Sequence, residues 1–189
     1  MTEVLRYSTT DNYVEPVRTH SDASGIFLVS LIAELTDPIG IEIGTDVGET
    51  AAALLFNVPT LKLHCIDPYT RYVDWNGNDL NDRNDVLDKM RNRLAPFANR
   101  YTLHQFTSDE AVSGFWDESV DFIFVDGLHT YEQVLADCHN YYRKLKPGGI
   151  FAGHDFNAIE GVRRAVVEFA ASVGKEIKQD KHDTWYWVK

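Results

Sequence analysis

The segment DFIFVDGLHTYEQVLADCHNYYRKLKPGGIFAGHDF, residues 121–156, reads as strand, helix and strand in succession. Phe122–Val125 is a short apolar run that stops at Asp126-Gly127-Leu128-His129. Thr130 and Gln133 then have the spacing of a capping box, and Val134, Cys138, Tyr141 or Tyr142, and Leu145 fall on one helical face. Lys146-Pro147-Gly148-Gly149 is expected to stop that helix, after which GIFAG begins a second apolar run that closes on His154 and Asp155. Asp and Gly are ordinary residues for leaving a sheet, so either ending alone is turn chemistry. Two buried strands that each end in a carboxylate and an imidazole raise the prospect of a site.

The same alternation extends in both directions. A helix from about Ser24 to Leu35 hands over through Asp37-Pro38 to the β-branched run IGIEIGT, then to the helix formers GETAAALLF and, past Pro59, to the strand LKLHCID. A polar excursion from Tyr69 to Asp85 precedes the helical VLDKMRNRLAPF, the strand YTLHQF and the acidic turn TSDE that leads into a short helix. After Asp155 come the helix GVRRAVVEFAASVG and two runs, EIKQD and TWYWVK, suited to an antiparallel pair across Lys181-His182-Asp183. The pattern predicts an α/β, doubly wound, Rossmann-like sheet, mostly parallel with an antiparallel carboxyl-terminal strand. It forms a single domain over residues 25–189, behind a polar lead-in at 1–24.

The 189 residues suffice for one core without disulfides. With 18 Lys+Arg against 29 Asp+Glu, the net charge of −11 argues against nucleic acid and against an anionic membrane surface. Cys65 and Cys138 lie in apolar runs and read as buried free thiols, which suits a reducing compartment. The amino terminus lacks a basic start followed by an apolar stretch, and Gly25–Leu35 is shorter than the roughly 20 residues of a spanning helix. A cytoplasmic protein is expected; assembly into a homo-oligomer is left open.

In open α/β sheets, ligands bind outside the carboxyl ends of the strands. Here those ends are Glu42 to Gly48, Asp67, Ser108-Asp109, Asp126 and Asp155. A dinucleotide fingerprint counted from Gly44 would need glycine where Asp46 and Glu49 stand. Carboxylates beside a pyrophosphate cost binding energy, whereas a sulfonium and an ammonium tolerate them. The loop therefore points to S-adenosylmethionine rather than NAD. Asp67 has the position to accept hydrogen bonds from ribose hydroxyls, or to start the turn before Pro68.

The runs IEIGTDVGET, CIDPY and, above all, residues 120–156 resemble the small class I S-adenosylmethionine-dependent methyltransferases of the methyltransferase domain 24 group. The resemblance covers roughly Gly25 to the carboxyl end. It implies that Glu42, Gly44, Thr45, Gly48 and Thr50 line the methionine end of the cofactor, Asp67 the ribose and Ser108-Asp109 the adenine. Asp126 belongs to the cofactor-binding, catalytic and metal-binding sets together.

If Asp126 and Asp155 end neighbouring strands, their backbones lie about 5 Å apart. Like charges so close need a proton, a cation or water between them, and magnesium is the expected divalent ion; the alternative is that each Asp caps a turn. His129 is typed for a general base. Macrolide-sugar O-methyltransferases are similar here, but the chain departs from them at His154, where an acidic ligand is expected, and from catechol-type relatives at Phe156. His64, His104 and His139 read as element residues and His20 and His182 as turn residues, none with a partner at ligand spacing. The Tyr69–Asp85 segment reads as a substrate lid or a disordered tip; as a calcium loop, Asp74-x-Asn76-x-Asn78 lacks the later Gly and Glu. O-methylation of a small hydroxylated substrate, sugar-containing ones included, is the leading function. A non-catalytic S-adenosylmethionine-binding or interaction domain and an NAD-dependent oxidoreductase are the alternatives.

Overall fold

The computed structural model describes residues 9–10, 13–14, 21–80 and 83–189. The seven strands of its main sheet are β1 (Ile39–Ile43), β2 (Lys62–Ile66), β3 (Tyr101–His104), β4 (Val120–Val125), β5 (Leu145–Gly153), β6 (Lys178–Gln179) and β7 (Trp185–Val188). They lie in the order β6-β7-β5-β4-β1-β2-β3, and β7 alone runs against the rest. The helices are α1 (Ser21–Ile32), α2 (Glu49–Asn57), α3 (Asn84–Leu94), α4 (Ser108–Ala111), α5 (Tyr131–Tyr142) and α6 (Glu160–Ser172).

Successive side chains of a strand point to opposite faces, so a strand buried on both faces must be apolar throughout. In β4, Phe122 and Phe124 join the core beneath α1, α2 and α3, whereas Ile123 and Val125 join the core beneath α5 and α6. β5 divides likewise, with Ile150 and Ala152 on the first face and Phe151 on the second. Leu28, Leu54 and Met90 close the first core; Val134, Cys138, Tyr141 and Phe169 close the second. Both cysteines are free and buried, as expected.

Several boundaries differ from the sequence expectation, the first helix and the end of α5 most clearly. The first helix spans Ser21–Ile32, beginning and ending earlier than Ser24–Leu35. α5 ends at Tyr142, before Lys146-Pro147-Gly148-Gly149, and those four residues belong to β5. Gly148, at φ 81°, lies in a register shift between Val120 paired with Leu145 and Phe122 paired with Ile150. The tetrapeptide therefore bulges the strand rather than capping the helix. The Thr130–Gln133 capping box is half formed: Thr130 accepts from the Gln133 amide, while the Gln133 side chain reaches Ser108 and Asp137 instead. Of the amino-terminal lead-in, the short pair Thr9–Thr10 and Tyr13–Val14 and the start of α1 are described; His20 lies outside the described residues.

The strands that matter for a ligand end level. Ile43 is in register with Ile66 on one side and Val125 on the other, and Val125 with Gly153. Strand order reverses between the parallel neighbours β1 and β4, which makes their carboxyl ends the switch point where crevices form. At the next seam, a Cβ on Gly153 would lie 2.3 Å from the Trp185 ring and 2.6 Å from the Val125 carbonyl oxygen. We therefore expect Gly153→Ala to destabilise the fold by about 1–3 kcal/mol through overpacking. The change should appear as a lower denaturant midpoint at unchanged slope; an unchanged midpoint would contradict this packing.

Candidate active site

One residue past each level strand end, the backbone crosses to the neighbouring strand. Gly44 donates to the Ile66 carbonyl at 2.8 Å, Asp126 to that of Ile43 at 2.9 Å and His154 to that of Val125 at 3.2 Å. These bonds place the loops after β1, β4 and β5 along one rim. At Gly44, φ is 86° and a Cβ would lie 2.0 Å from the Asp126 carbonyl oxygen, so only glycine fits. Gly48, at φ 76°, starts α2, and the partly buried Thr50 is its second residue.

Glu42 and Thr45 are buried beside this loop, and neither Glu42 Oε2 nor Thr45 Oγ1 has a hydrogen-bond partner. Burial pushes the Glu42 carboxyl up to about 8, and the charges of Asp126 and Asp67 add to the shift. The nearby Thr45 hydroxyl opposes it without reaching hydrogen-bond geometry. Unpaired buried polar atoms are rare in folded proteins, and an acid at this place fits an incoming ammonium.

The Asp67 carboxylate does the turn-forming work. Its Oδ2 accepts from the Asp46 amide and its Oδ1 from the Tyr69 amide, each at 2.9 Å. Each oxygen keeps a further lone pair, so the ribose expectation is compatible with this turn. Asp46 and Glu49, the residues read against NAD, carry charges that α3 largely compensates. Arg83, just ahead of α3, pairs with Asp46, and Arg93 lies 3.3 Å from Glu49 while donating to the Val47 carbonyl at 2.6 Å. The electrostatic half of that reading is thus weakened; the steric half stands, because Asp46 puts a side chain where a fingerprint needs none. Ser108 and Asp109 start α4, and their side chains engage α5: Ser108 Oγ accepts from Gln133 and Asp109 from Asn140.

The described part of the segment after Asp67 forms a short hairpin rather than a bare loop. Tyr72–Val73 pairs with Asp79–Leu80, and Asp74 Oδ1 accepts from the amides of Asn76 and Asn78 to form the turn. The base of this hairpin is fastened to the loop after β1, since Tyr69 donates from its hydroxyl to the Asp46 carbonyl at 2.7 Å and Arg83 lies over the Tyr72 ring.

Asp126 and Asp155 converge as their positions foretold, and an imidazole stands between them. His129 Nε2 lies 3.1 Å from Asp126 Oδ1 and 3.2 Å from Asp155 Oδ2. His154 Nδ1 lies 3.2 Å from Asp155 Oδ1, and its Nε2 donates to the His182 carbonyl at 2.9 Å. Burial disfavours both imidazolium ions, but the hydrogen bonds and charges of the carboxylates outweigh it. His129 is held above its ordinary value, principally by Asp126 with help from Asp155, and His154 is pushed up to about 9 by Asp155 and Asp126. Asp155 is held below the usual carboxylate range, burial being overcome by His154 and His129. Its backbone sits at φ 59°, a conformation that costs a non-glycine residue about 1–3 kcal/mol and that clusters at functional sites. Ligand atoms of Asp126, His154 and Asp155 all lie within 4.8 Å of one another.

Sequence reading missed Arg83 and the carbonyl of His182, neither of which a strand-end rule can locate. It also missed a histidine pair on the far edge. Ile66 pairs with His104, which sets His64 one diagonal step away, and His64 Nδ1 lies 3.0 Å from His104 Nε2.

Among the described residues no helix is long and apolar enough to cross a membrane. A family model described as a methyltransferase domain matches residues 41–156, a span that contains the rim from Glu42 to Asp155. An uncharacterised protein of Sinorhizobium fredii is 40% identical over 68 residues, which are 34% of this chain and 8% of that one. The chain thus spans a small fraction of the length of that curated relative. Among solved structures, the precorrin-6y C5,15-methyltransferase of Geobacter metallireducens superposes with a TM-score of 0.64 at 14% identity, over 96% of this chain and 92% of that one. A Staphylococcus aureus protein described as a caffeoyl-CoA O-methyltransferase gives 0.61 at 15% identity, over 88% and 83%. At these identities the superpositions speak to fold. The match over residues 41–156 goes further, and the chain belongs to the methyltransferase-domain family of S-adenosylmethionine-dependent enzymes.

Proposed function

We propose that the chain moves the methyl group of S-adenosylmethionine to a hydroxyl oxygen of a small substrate, sugar-containing acceptors included, in the cytoplasm. The observation that carries this reading is His129, held by Asp126 and Asp155 at the mouth of the crevice beside the Gly44 loop. A methyl on a sulfonium is the electrophile that the bound cofactor supplies. Glu42, with an unpaired oxygen, receives the ammonium, and Asp67 has lone pairs left for the ribose.

An acceptor hydroxyl must lie in line with the carbon–sulfur bond and lose its proton as the carbon–oxygen bond forms. His129 receives that proton, and the two carboxylates stabilise the imidazolium that results. Asp126 and Asp155 would also hold a divalent cation, for which two carboxylates alone suggest magnesium; such an ion lowers the pKa of the acceptor hydroxyl. The Tyr72–Leu80 hairpin, anchored at the crevice and exposing Trp75, is suited to covering the acceptor.

The direct test is incubation with methyl-labelled S-adenosylmethionine and a metabolite extract, read by mass spectrometry of labelled products. Label on oxygen supports the proposal; no label with any added metal, despite cofactor binding, would favour a binding domain without turnover. His129→Ala should lower turnover by roughly 10²–10⁴ while leaving S-adenosylhomocysteine affinity in place. Because the carboxylates raise the His129 pKa from 6.5 when no metal is bound, turnover of the chelator-treated parent should climb with pH along a limb above that value, and the limb should vanish in the alanine variant. Persistence of both turnover and limb would remove the base.

Glu42 provides a separate check. With its pKa near 8, the carboxyl is largely protonated at pH 7, and an ammonium arriving beside it should drive the proton off. Calorimetry of S-adenosylhomocysteine binding at pH 7 in buffers of different ionisation heat should therefore show proton release, and Glu42→Gln should abolish it. Equal release in the variant would mean that Glu42 does not meet the cofactor.

A further inference from the structure

We propose that the cation site at the strand ends is built for a first-row transition-metal dication rather than magnesium, with His154 Nδ1 as a nitrogen ligand beside the carboxylates of Asp126 and Asp155. The inference rests on the reading above that these carboxylates hold a divalent ion. Three observations carry it.

The first is the donor set. Asp126, His154 and Asp155 present ligand atoms within 4.8 Å of one another, a little beyond the roughly 4.4 Å that two metal–ligand bonds of about 2.0–2.2 Å span at most across one ion, so that small side-chain rotations would close them on it. The second is its chemistry: magnesium takes oxygen donors almost exclusively, whereas imidazole suits zinc, iron, nickel and copper.

The third is how the ring is held. The His182 carbonyl can only accept, so His154 Nε2 carries a proton; Nδ1, which faces Asp155 and donates to it in the metal-free site, would release its proton to solvent as an ion binds. A ligating histidine characteristically donates its other ring N–H to a carbonyl or carboxylate in this manner. That carbonyl is itself fixed. Asp180 Oδ1 accepts from the amides of His182 at 2.9 Å and Thr184 at 3.0 Å, and Asp183 accepts from the amides of Asn157 at 2.7 Å and Ala158 at 2.9 Å. The β6–β7 turn thereby holds both sides of the site, the His154 ring on one and the backbone of the loop after Asp155 on the other.

The test uses the full chain stripped with chelator, carrying His64→Gln so that the edge pair His64–His104 does not compete for metal. Equilibrium dialysis with Co²⁺ and with Mg²⁺ is compared between this parent, His154→Asp and Asp155→Ala, and bound Mn²⁺ is examined by pulsed EPR for a directly bonded nitrogen. Oxygen-only sites also prefer transition ions, so the change on substitution is the informative quantity. We expect the nitrogen signature in the parent, its loss in His154→Asp, and a fall of at least about tenfold in the Co²⁺-to-Mg²⁺ affinity ratio. Cation binding that Asp155→Ala abolishes, but whose ion preference and EPR spectrum His154→Asp leaves unchanged, would overturn the nitrogen ligand and spare the carboxylate site. Absence of binding in the parent would overturn both, and S-adenosylhomocysteine titration of the same samples would show separately whether the cofactor reading stands.

Discussion

Gly44 presses its backbone so closely against Asp126 that a single added carbon would lie 2.0 Å from the Asp126 carbonyl oxygen. That contact exists because β1 and β4 are neighbours at the point where strand order reverses. It sets the loop that leads into α2 directly against the loop that carries Asp126 and His129. A cofactor cradled by the first loop is then within reach of chemistry on the second. The arrangement needs level strand ends, and those follow from the registers that join Ile43, Ile66, Val125 and Gly153.

A rim assembled this way collects carboxylates, because each parallel strand leaves the sheet through a residue that tolerates a turn. The protein manages the resulting repulsion differently at each place. Glu42 is buried and shifted toward its neutral form, Asp46 and Glu49 face arginines from the α3 region, and Asp67 is bound by two amides. Asp126 and Asp155 are held together by His129, with His154 adjoining. Among the described residues of the rim, these last four groups are where acids and imidazoles meet.

Much of this was legible in the sequence. Continuous apolar runs such as Phe122–Val125 and Ile150–Gly153 announce strands covered on both faces, and the rule that ligands bind at carboxyl ends then names Glu42, Asp67, Asp126 and Asp155 as rim residues. What stayed hidden depends on tertiary neighbours. The pairing of Arg83 with Asp46 is set by how α3 crosses the loop, and the His64–His104 contact by the register of β2 against β3. Lys146-Pro147-Gly148-Gly149 has the composition of a helix stop, yet a register shift lets it open a strand. Local preference yields there to the sheet.

The crevice between β1 and β4 is the proposed cradle for S-adenosylmethionine. Calorimetric titration of the chain with S-adenosylhomocysteine and, in parallel, with NADH tests it most directly, with Gly44→Ala as the structural control. Saturable binding of S-adenosylhomocysteine, none of NADH, and loss of that binding in the variant are expected. Binding of NADH without S-adenosylhomocysteine would contradict it.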